Sequence, residues 1–228
     1  MRVAVLFSGG KDSTFSAYVI KRQGWEVKYL VTMWPEVIDS WMFHHPCIGI
    51  TSLQANAMGI KHILKKTAGE KEEELKDLLE ALKPLAEKEE IDAIVTGAVD
   101  SNYQKDRIDA IAKELGVKHI SPLWHKNPEL LLREQVKNGF ETIFAGVAAA
   151  GFDKSWLGRR IDESAIEDLR ALHEKFGVHM CGEGGEFETL VLDCPIFRQK
   201  IELMDVKKVW DENTASGYIT AKGMLVEK

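Results

Sequence analysis

The stretch Phe7-Ser8-Gly9-Gly10-Lys11-Asp12-Ser13, FSGGKDS, decides how the rest of the chain is read. Before it runs Arg2-Val3-Ala4-Val5-Leu6, apolar after the arginine and β-branched at Val3 and Val5, as a strand buried on both faces would be. After it, Phe15, Tyr18, Val19 and Arg22 recur at helical spacing until Gly24, a helix stop. A strand, a Gly-Gly turn and a helix together aim unpaired backbone N–H groups and the positive helix end at an anion. Ser8 and Ser13 add hydroxyl donors, and the bare backbone at Gly9 and Gly10 allows close approach. The stretch is not the GxxxxGK[ST] loop, because Asp12 follows Lys11 where a hydroxyl is needed and Val5 stands where a glycine is needed. Transfer of a terminal phosphate, as in kinases and GTPases, is therefore not the expectation.

Outward from this loop the first half alternates strands and helices. Residues 25–33 read as a strand, 52–59 as a short helix, 61–67 as a strand, and 70–90 as a long amphipathic helix. In that helix Leu75, Leu78, Leu79, Leu82 and Leu85 share a stripe, and Pro84 is placed to bend it. Residues 92–99 read as a fourth strand, followed by a helix and a fifth strand, 117–120. The expectation is an α/β fold with a parallel sheet and crossover helices over residues 1–120, followed by a second, smaller α+β domain over 121–228. Ligands of such sheets sit at the carboxyl ends of strands, which gathers SGGKDS, Thr32-Met33 and the stretch from Gly97 to Gln104 around one crevice.

The 228 residues carry a net charge of −6, which argues against a surface built to grip nucleic acid. Three cysteines, Cys47, Cys181 and Cys194, contain no CxxC pair and are too few for a disulfide framework. With no secretory pattern at the start and no apolar run of membrane length, a soluble cytoplasmic protein without a membrane partner is expected.

Several constellations carry chemistry. In CGEGGEFETLVLDCP (181–195), Glu183, Glu186 and Glu188 surround two glycines and Phe187, and in an extended run Glu186 and Glu188 would share a face. Clustered carboxylates hold a metal, act as a general base or bind a cation, while a solvated turn is the plain alternative. Asp100, Asn102, Tyr103 and Arg107 follow the fourth strand, at the crevice mouth or simply as a helix start. Trp156 lies in a loop beside Asp153 and Arg159, where an aromatic serves as core, lid or recognition residue. His44-His45-Pro46-Cys47 has metal-binding residue types but no second cluster at zinc spacing.

SGGKDS resembles the PP-loop of the ATP pyrophosphatase superfamily, which implies the HUP-type (adenine nucleotide alpha hydrolase-like) sheet and cleavage of ATP to AMP and pyrophosphate. GAVDSNYQKDR (97–107), WLGRRID (156–162) and CGEGGEFETLVLDCP narrow the likeness to the diphthine–ammonia ligase family across nearly the whole chain. That resemblance implies amidation of diphthine on translation elongation factor 2 by ammonium through an acyl-adenylate. It implies ATP bound by Ser8, Gly9, Gly10, Lys11, Asp12 and Ser13, adenine near Thr32 and Met33, and nucleotide passing Gly97. Mg²⁺ would be held by Asp12 or Asp100. Lys11 would neutralise developing charge, Glu183 and Glu186 would bind and deprotonate ammonium, with Glu186 the preferred base because the paired glycines give a ligand close access, and Glu188 would help bind the substrate. Tyr103, Trp156 and Phe187 would offer aromatic faces to the trimethylammonium of diphthine, with Asp100, Asn102 and Arg107 beside them. Eukaryotic members carry further C-terminal domains that this chain lacks, as an archaeal member would. A tRNA-modifying PP-loop enzyme and a non-catalytic ATP-binding sensor are the alternatives, and a homo-oligomer is left open.

Overall fold

The run after Met1 forms β1 (Arg2–Leu6), and the chain then winds to either side of it. Helix α1 (Lys11–Arg22) leads to β2 (Glu26–Pro35), α2 (Thr51–Met58) to β3 (Lys61–Thr67), α3 (Lys71–Glu87) to β4 (Ala93–Val95), and α4 (Asn102–Leu115) to β5 (Lys118–Ile120). These strands make one parallel sheet in the order β3-β2-β1-β4-β5. The computed structural model describes residues 1–35, 47–67 and 71–228, so His44 and His45 lie outside the described residues.

Alternation along the strands divides the core in two. Ala4, Tyr29, Val31, Met33 and Ile94 pack with Leu78, Leu82 and Leu85 of α3 and Ile108 and Ile111 of α4. Val3, Val5, Leu30, Ala93 and Val95 point to the other face, against Phe15 and Ile20 of α1 and Ala55 and Met58 of α2. The leucine stripe of α3 is thus the sheet-facing side, and the helix runs on through Pro84.

The second half adds α5 (Pro128–Lys137), β6 (Glu141–Val147), α6 (Glu163–Phe176), β7 (Phe187–Asp193), β8 (Lys200–Asp211) and β9 (Ser216–Val226). Its antiparallel sheet has the order β7-β6-β9-β8. Phe140, Phe144, Leu157, Ile166 and Leu190 belong to the same buried cluster as Val3, Val5 and Phe15, so apolar packing is continuous from one sheet to the other. Along the outer hairpin, β8 and β9 lose register between Met204 and Lys207, where Asp205 takes φ 54°.

The fourth strand is shorter than the 92–99 read from its apolar run, because pairing stops at Val95 and the chain turns away. Gly97 explains where it goes. A Cβ there would lie 2.7 Å from Asp12 C and Ser13 N, so the missing side chain lets the first turn of α1 tuck against the end of β4. On the side where a Cβ would lie, the backbone of Asp12 and Ser13 fills the space beside Gly97. Gly97→Ala should therefore destabilise the protein by about 1–3 kcal/mol, since the obstacle is rigid backbone. Urea unfolding checks this, and an unchanged midpoint would show that α1 can shift without cost.

Candidate active site

Between β1 and β4 the strand order reverses direction, and open α/β sheets bind ligands beyond the carboxyl ends of strands at such a point. The loop from Phe7 to Gly10 sits there. It begins when Phe7 N donates to Val31 O at 2.8 Å and ends when Gly10, φ −78° and ψ 173°, starts α1 without a side-chain cap. By contrast α4, α5 and α6 are capped by Ser101, Asn127 and Asp162. The exposed N–H groups and dipole of α1 thus point at the crevice. Inside the loop Ser8 N lies 3.3 Å and Ser8 Oγ 3.2 Å from Ser13 Oγ, and Gly10 N donates to Ser8 Oγ at 3.3 Å. Those hydroxyls and amides are gathered at the start of α1.

Lys11 does not wave in solvent. It is 2% exposed, and its Nζ donates to Asp12 Oδ2 at 2.5 Å and to the Cys181 carbonyl at 2.5 Å, 5.3 Å from the centre of the Phe187 ring. Burial opposes the ammonium, but the charge and hydrogen bond of Asp12, with Cys181 and Glu183 nearby, outweigh it and hold the pKa above its ordinary value. The other Asp12 oxygen accepts from Gln135 Nε2 of α5 at 3.3 Å. Lys11 N donates to Thr189 Oγ1 on β7 at 3.1 Å. The loop is therefore anchored in both halves of the chain.

The glutamates separate. Glu183 Oε2 accepts from Asp100 N at 3.2 Å and Ser101 N at 3.0 Å, tying the β4–α4 connection to the 179–186 turn. Glu186 accepts from His179 N at 2.9 Å and Gly184 N at 2.8 Å. Its carboxylate holds the turn together, and because β7 starts only at Phe187 it does not share a strand face with Glu188. Glu188 stands opposite Gly146 of β6. Among the described residues no donor reaches its carboxyl within hydrogen-bond distance, and although some of its surface stays accessible, burial pushes its pKa up to about 8. Lys11 acts against that rise and Asp12 adds to it. The site thus holds one permanently charged ammonium and one carboxyl that is mostly neutral at pH 7.

At the mouth, Asp100 is exposed, with His179 Nε2 at 3.4 Å and His125 Nε2 at 4.0 Å from its carboxylate oxygens. Asn102 is exposed at the start of α4. Arg107 lies 3.5 Å over the Tyr103 ring and donates to the Tyr103 carbonyl. Across the sheet, Thr32 Oγ1 bonds the Phe7 carbonyl at 2.6 Å and His62 Nε2 at 2.8 Å. Val31 O already faces β1, so strand alternation leaves the N–H and C=O of Met33 on the side that β1 no longer covers. Trp156 is 6% exposed and packs edge-on to Phe144 and Phe152 with the Arg159 guanidinium 4.7 Å over its ring. It is core, not an open aromatic face, which corrects the recognition reading. Phe187 is likewise buried, and the cation it meets is that of Lys11.

The cysteines are free and lie apart, Cys47 against the Ile219 carbonyl and Cys181 against that of Pro128. Burial pushes the Cys181 thiol up to about 12, although Lys11 works against it, so it is no nucleophile at neutral pH. Sequence reasoning missed Gln54, Gln135, His179 and Thr189. The only signal for Gln54 was an amide between apolar neighbours in a short helix.

Comparison with known proteins places this geometry. Residues 1–119 match the diphthamide synthase N-terminal domain, and residues 127–225 match the diphthamide synthase C-terminal domain. The chain belongs to the diphthamide synthase family. The diphthine–ammonia ligase of Rattus norvegicus is 37% identical over 220 residues, 88% of this chain and 82% of that protein. Its counterpart in Homo sapiens is 36% identical over 223 residues, again 88% and 82%. The ligase of Schizosaccharomyces pombe is 35% identical over the whole chain, which spans 40% of that longer protein. A solved structure titled as a predicted subunit of tRNA methyltransferase from Methanocaldococcus jannaschii superimposes with TM-score 0.44 at 21% identity, covering 86% of this chain and 98% of the other. Among the described residues no helix is long and apolar enough to cross a membrane.

The Glu188 carboxyl holds its proton more tightly in the fold than in the unfolded chain. It therefore favours the fold fully below its ordinary value of 4.5, and that contribution fades as pH rises through about 8. Glu188→Gln should remove this loss, so the variant gains on the wild type in urea unfolding between about pH 5 and about pH 9. Parallel pH profiles for the two proteins would show that Glu188 ionises freely.

Proposed function

We propose that this chain is an ATP-dependent ligase that converts diphthine on translation elongation factor 2 to diphthamide, using ammonium and releasing AMP and pyrophosphate. The observation that carries this reading is the shared site: an uncapped helix start with a buried ammonium, beside an enclosed carboxyl of raised pKa. The first half suits an acyl-phosphate chemistry and the second suits proton removal from a weak acid.

A carboxylate does not condense with ammonia unaided, because its oxygen is a poor leaving group. Attack of the diphthine carboxylate on the α-phosphorus of ATP breaks the bond to the β-phosphate and makes that oxygen part of AMP. The amides of the Ser8–Gly10 loop and of the α1 start, with the Ser8 and Ser13 hydroxyls, hold the departing pyrophosphate, and Lys11 offsets its charge. In this reading the Met33 backbone, on the side that β1 leaves uncovered, reads adenine. Ammonium then reaches Glu188, whose ionised form attracts the cation and takes one proton. The resulting ammonia attacks the acyl carbon, AMP leaves, and an amide remains. A carboxyl with pKa about 8 is matched to a donor that is itself mostly protonated at neutral pH.

Mg²⁺ fits the donor set at one point. Both Asp12 oxygens already accept from Lys11 and Gln135, while the Asp100 carboxylate is exposed, its nearest neighbours being His179 and His125. Among the described residues no group of three or more side chains is arranged as a metal cage, and Mg²⁺ ordinarily takes one or two carboxylates with phosphate and water. Bound there, it would neutralise phosphate charge.

Lys11→Ala should lower pyrophosphate release by about 100-fold or more, the cost of losing one well-placed charge in such a site. A phosphate-coupled assay with diphthine-bearing elongation factor 2 reads this, and normal release would sink the nucleotide assignment. Glu188→Gln should separate the half-reactions, keeping pyrophosphate release while slowing amide formation at ordinary ammonium. Equal loss of both steps would move Glu188 to the nucleotide side.

A further inference from the structure

We propose that Gln54 is a positioning residue that sets the Gly9–Gly10 peptide and thereby aims the Gly10 N–H at the phosphates, an inference that rests on the nucleotide reading above. Gln54 lies in α2, fully buried, and is bonded to no part of the crevice except this peptide. Its Nε2 donates to Gly9 O at 2.8 Å and to Val191 O at 2.8 Å, while Val191 N donates to Gly9 O at 3.1 Å. The Gly9 carbonyl is thus gripped from α2 and from β7 at once.

A trans peptide is planar, so its N–H points opposite to its carbonyl. Fixing Gly9 O toward Gln54 and β7 sends Gly10 N–H the other way, to the side where it meets Ser8 Oγ at 3.3 Å. Gly9 itself takes φ +79°, and a Cβ there would stand 2.2 Å from Gln54 Oε1. Only a glycine lets the amide close on this carbonyl.

The amide is not explained by packing. Gln54 Oε1 is buried and meets no hydrogen-bond donor. A methionine or leucine would fill the same space without a stranded side-chain oxygen, though the Val191 carbonyl would lose this donor. What neither could supply is the donor that holds Gly9 O. The same grip couples the loop to the strand that carries Glu188, because Lys11 N is bonded to Thr189 of β7 as well. Gln54 therefore belongs to the route by which the nucleotide loop and the proton-accepting strand keep their register.

Calorimetric titration of Gln54→Met with inorganic pyrophosphate and, separately, with adenosine tests the proposal. The variant should remain folded, bind adenosine unchanged, and bind pyrophosphate about tenfold more weakly, the effect of one misdirected hydrogen bond. Gln54→Leu should behave the same way. Wild-type pyrophosphate affinity in a folded variant overturns the proposal, and so does an equal loss for both ligands. Failure of both variants to fold overturns it too, since Gln54 would then serve the fold. A wild-type protein that binds neither pyrophosphate nor adenosine would instead overturn the nucleotide reading and leave nothing for Gln54 to position.

Discussion

Everything in the crevice is arranged around the buried ammonium of Lys11. It joins α1 to the 179–186 turn through the Cys181 carbonyl, and its charge is answered by Asp12 beside it. An ion taken out of water at this depth is tolerable only when it is paired and fully bonded, so the contact constrains both halves of the chain. Glu183 reinforces the same seam from the opposite side by capping Asp100 and Ser101 backbone amides. Apolar side chains from both sheets pack around Lys11, which strengthens its contacts, while the Glu183 contacts lie nearer the solvent.

One consequence is a division of labour among acids that look alike in sequence. Asp12 is paired with Lys11, Glu183 and Glu186 are spent on backbone amides, and of these four only Glu188 meets no donor among the described residues. Identical chemistry is sorted into charge balance, loop construction and a carboxyl of raised pKa by what each carboxyl faces. Chain distance has little to do with it, since Glu186 and Glu188 are two residues apart.

The parallel sheet was legible because its signals are local: apolar runs with β-branched residues, a leucine stripe on α3, and glycine at the turn after β1. The turn from β1 into α1 was legible for the same reason. What escaped is non-local. Nothing beside Gly97 in the chain announces the α1 backbone 2.7 Å from its missing Cβ. Trp156 reads as a loop aromatic until Phe144 and Phe152, distant or polar-flanked in the chain, close around it. Gln54 and Gln135 are ordinary helix residues whose roles exist only through partners far away along the chain, as the 137-residue separation of Gln54 and Val191 shows. Glu186 and Glu188 could not be told apart before the exact start of β7 was known.

The irregular outer hairpin has a bearing on life in a crowded solution. β8 ends its sheet, and a long terminal strand offers an unfilled row of peptide groups to any extended segment that drifts by. Here the row is broken where the pairing slips between Met204 and Lys207, with Asp205 in a left-handed conformation and two lysines, Lys207 and Lys208, just beyond. A foreign strand could extend the sheet only by stranding those charges and matching that kink. The exposed Met204, Val206 and Val209 can therefore remain on the surface without recruiting other chains into growing sheets.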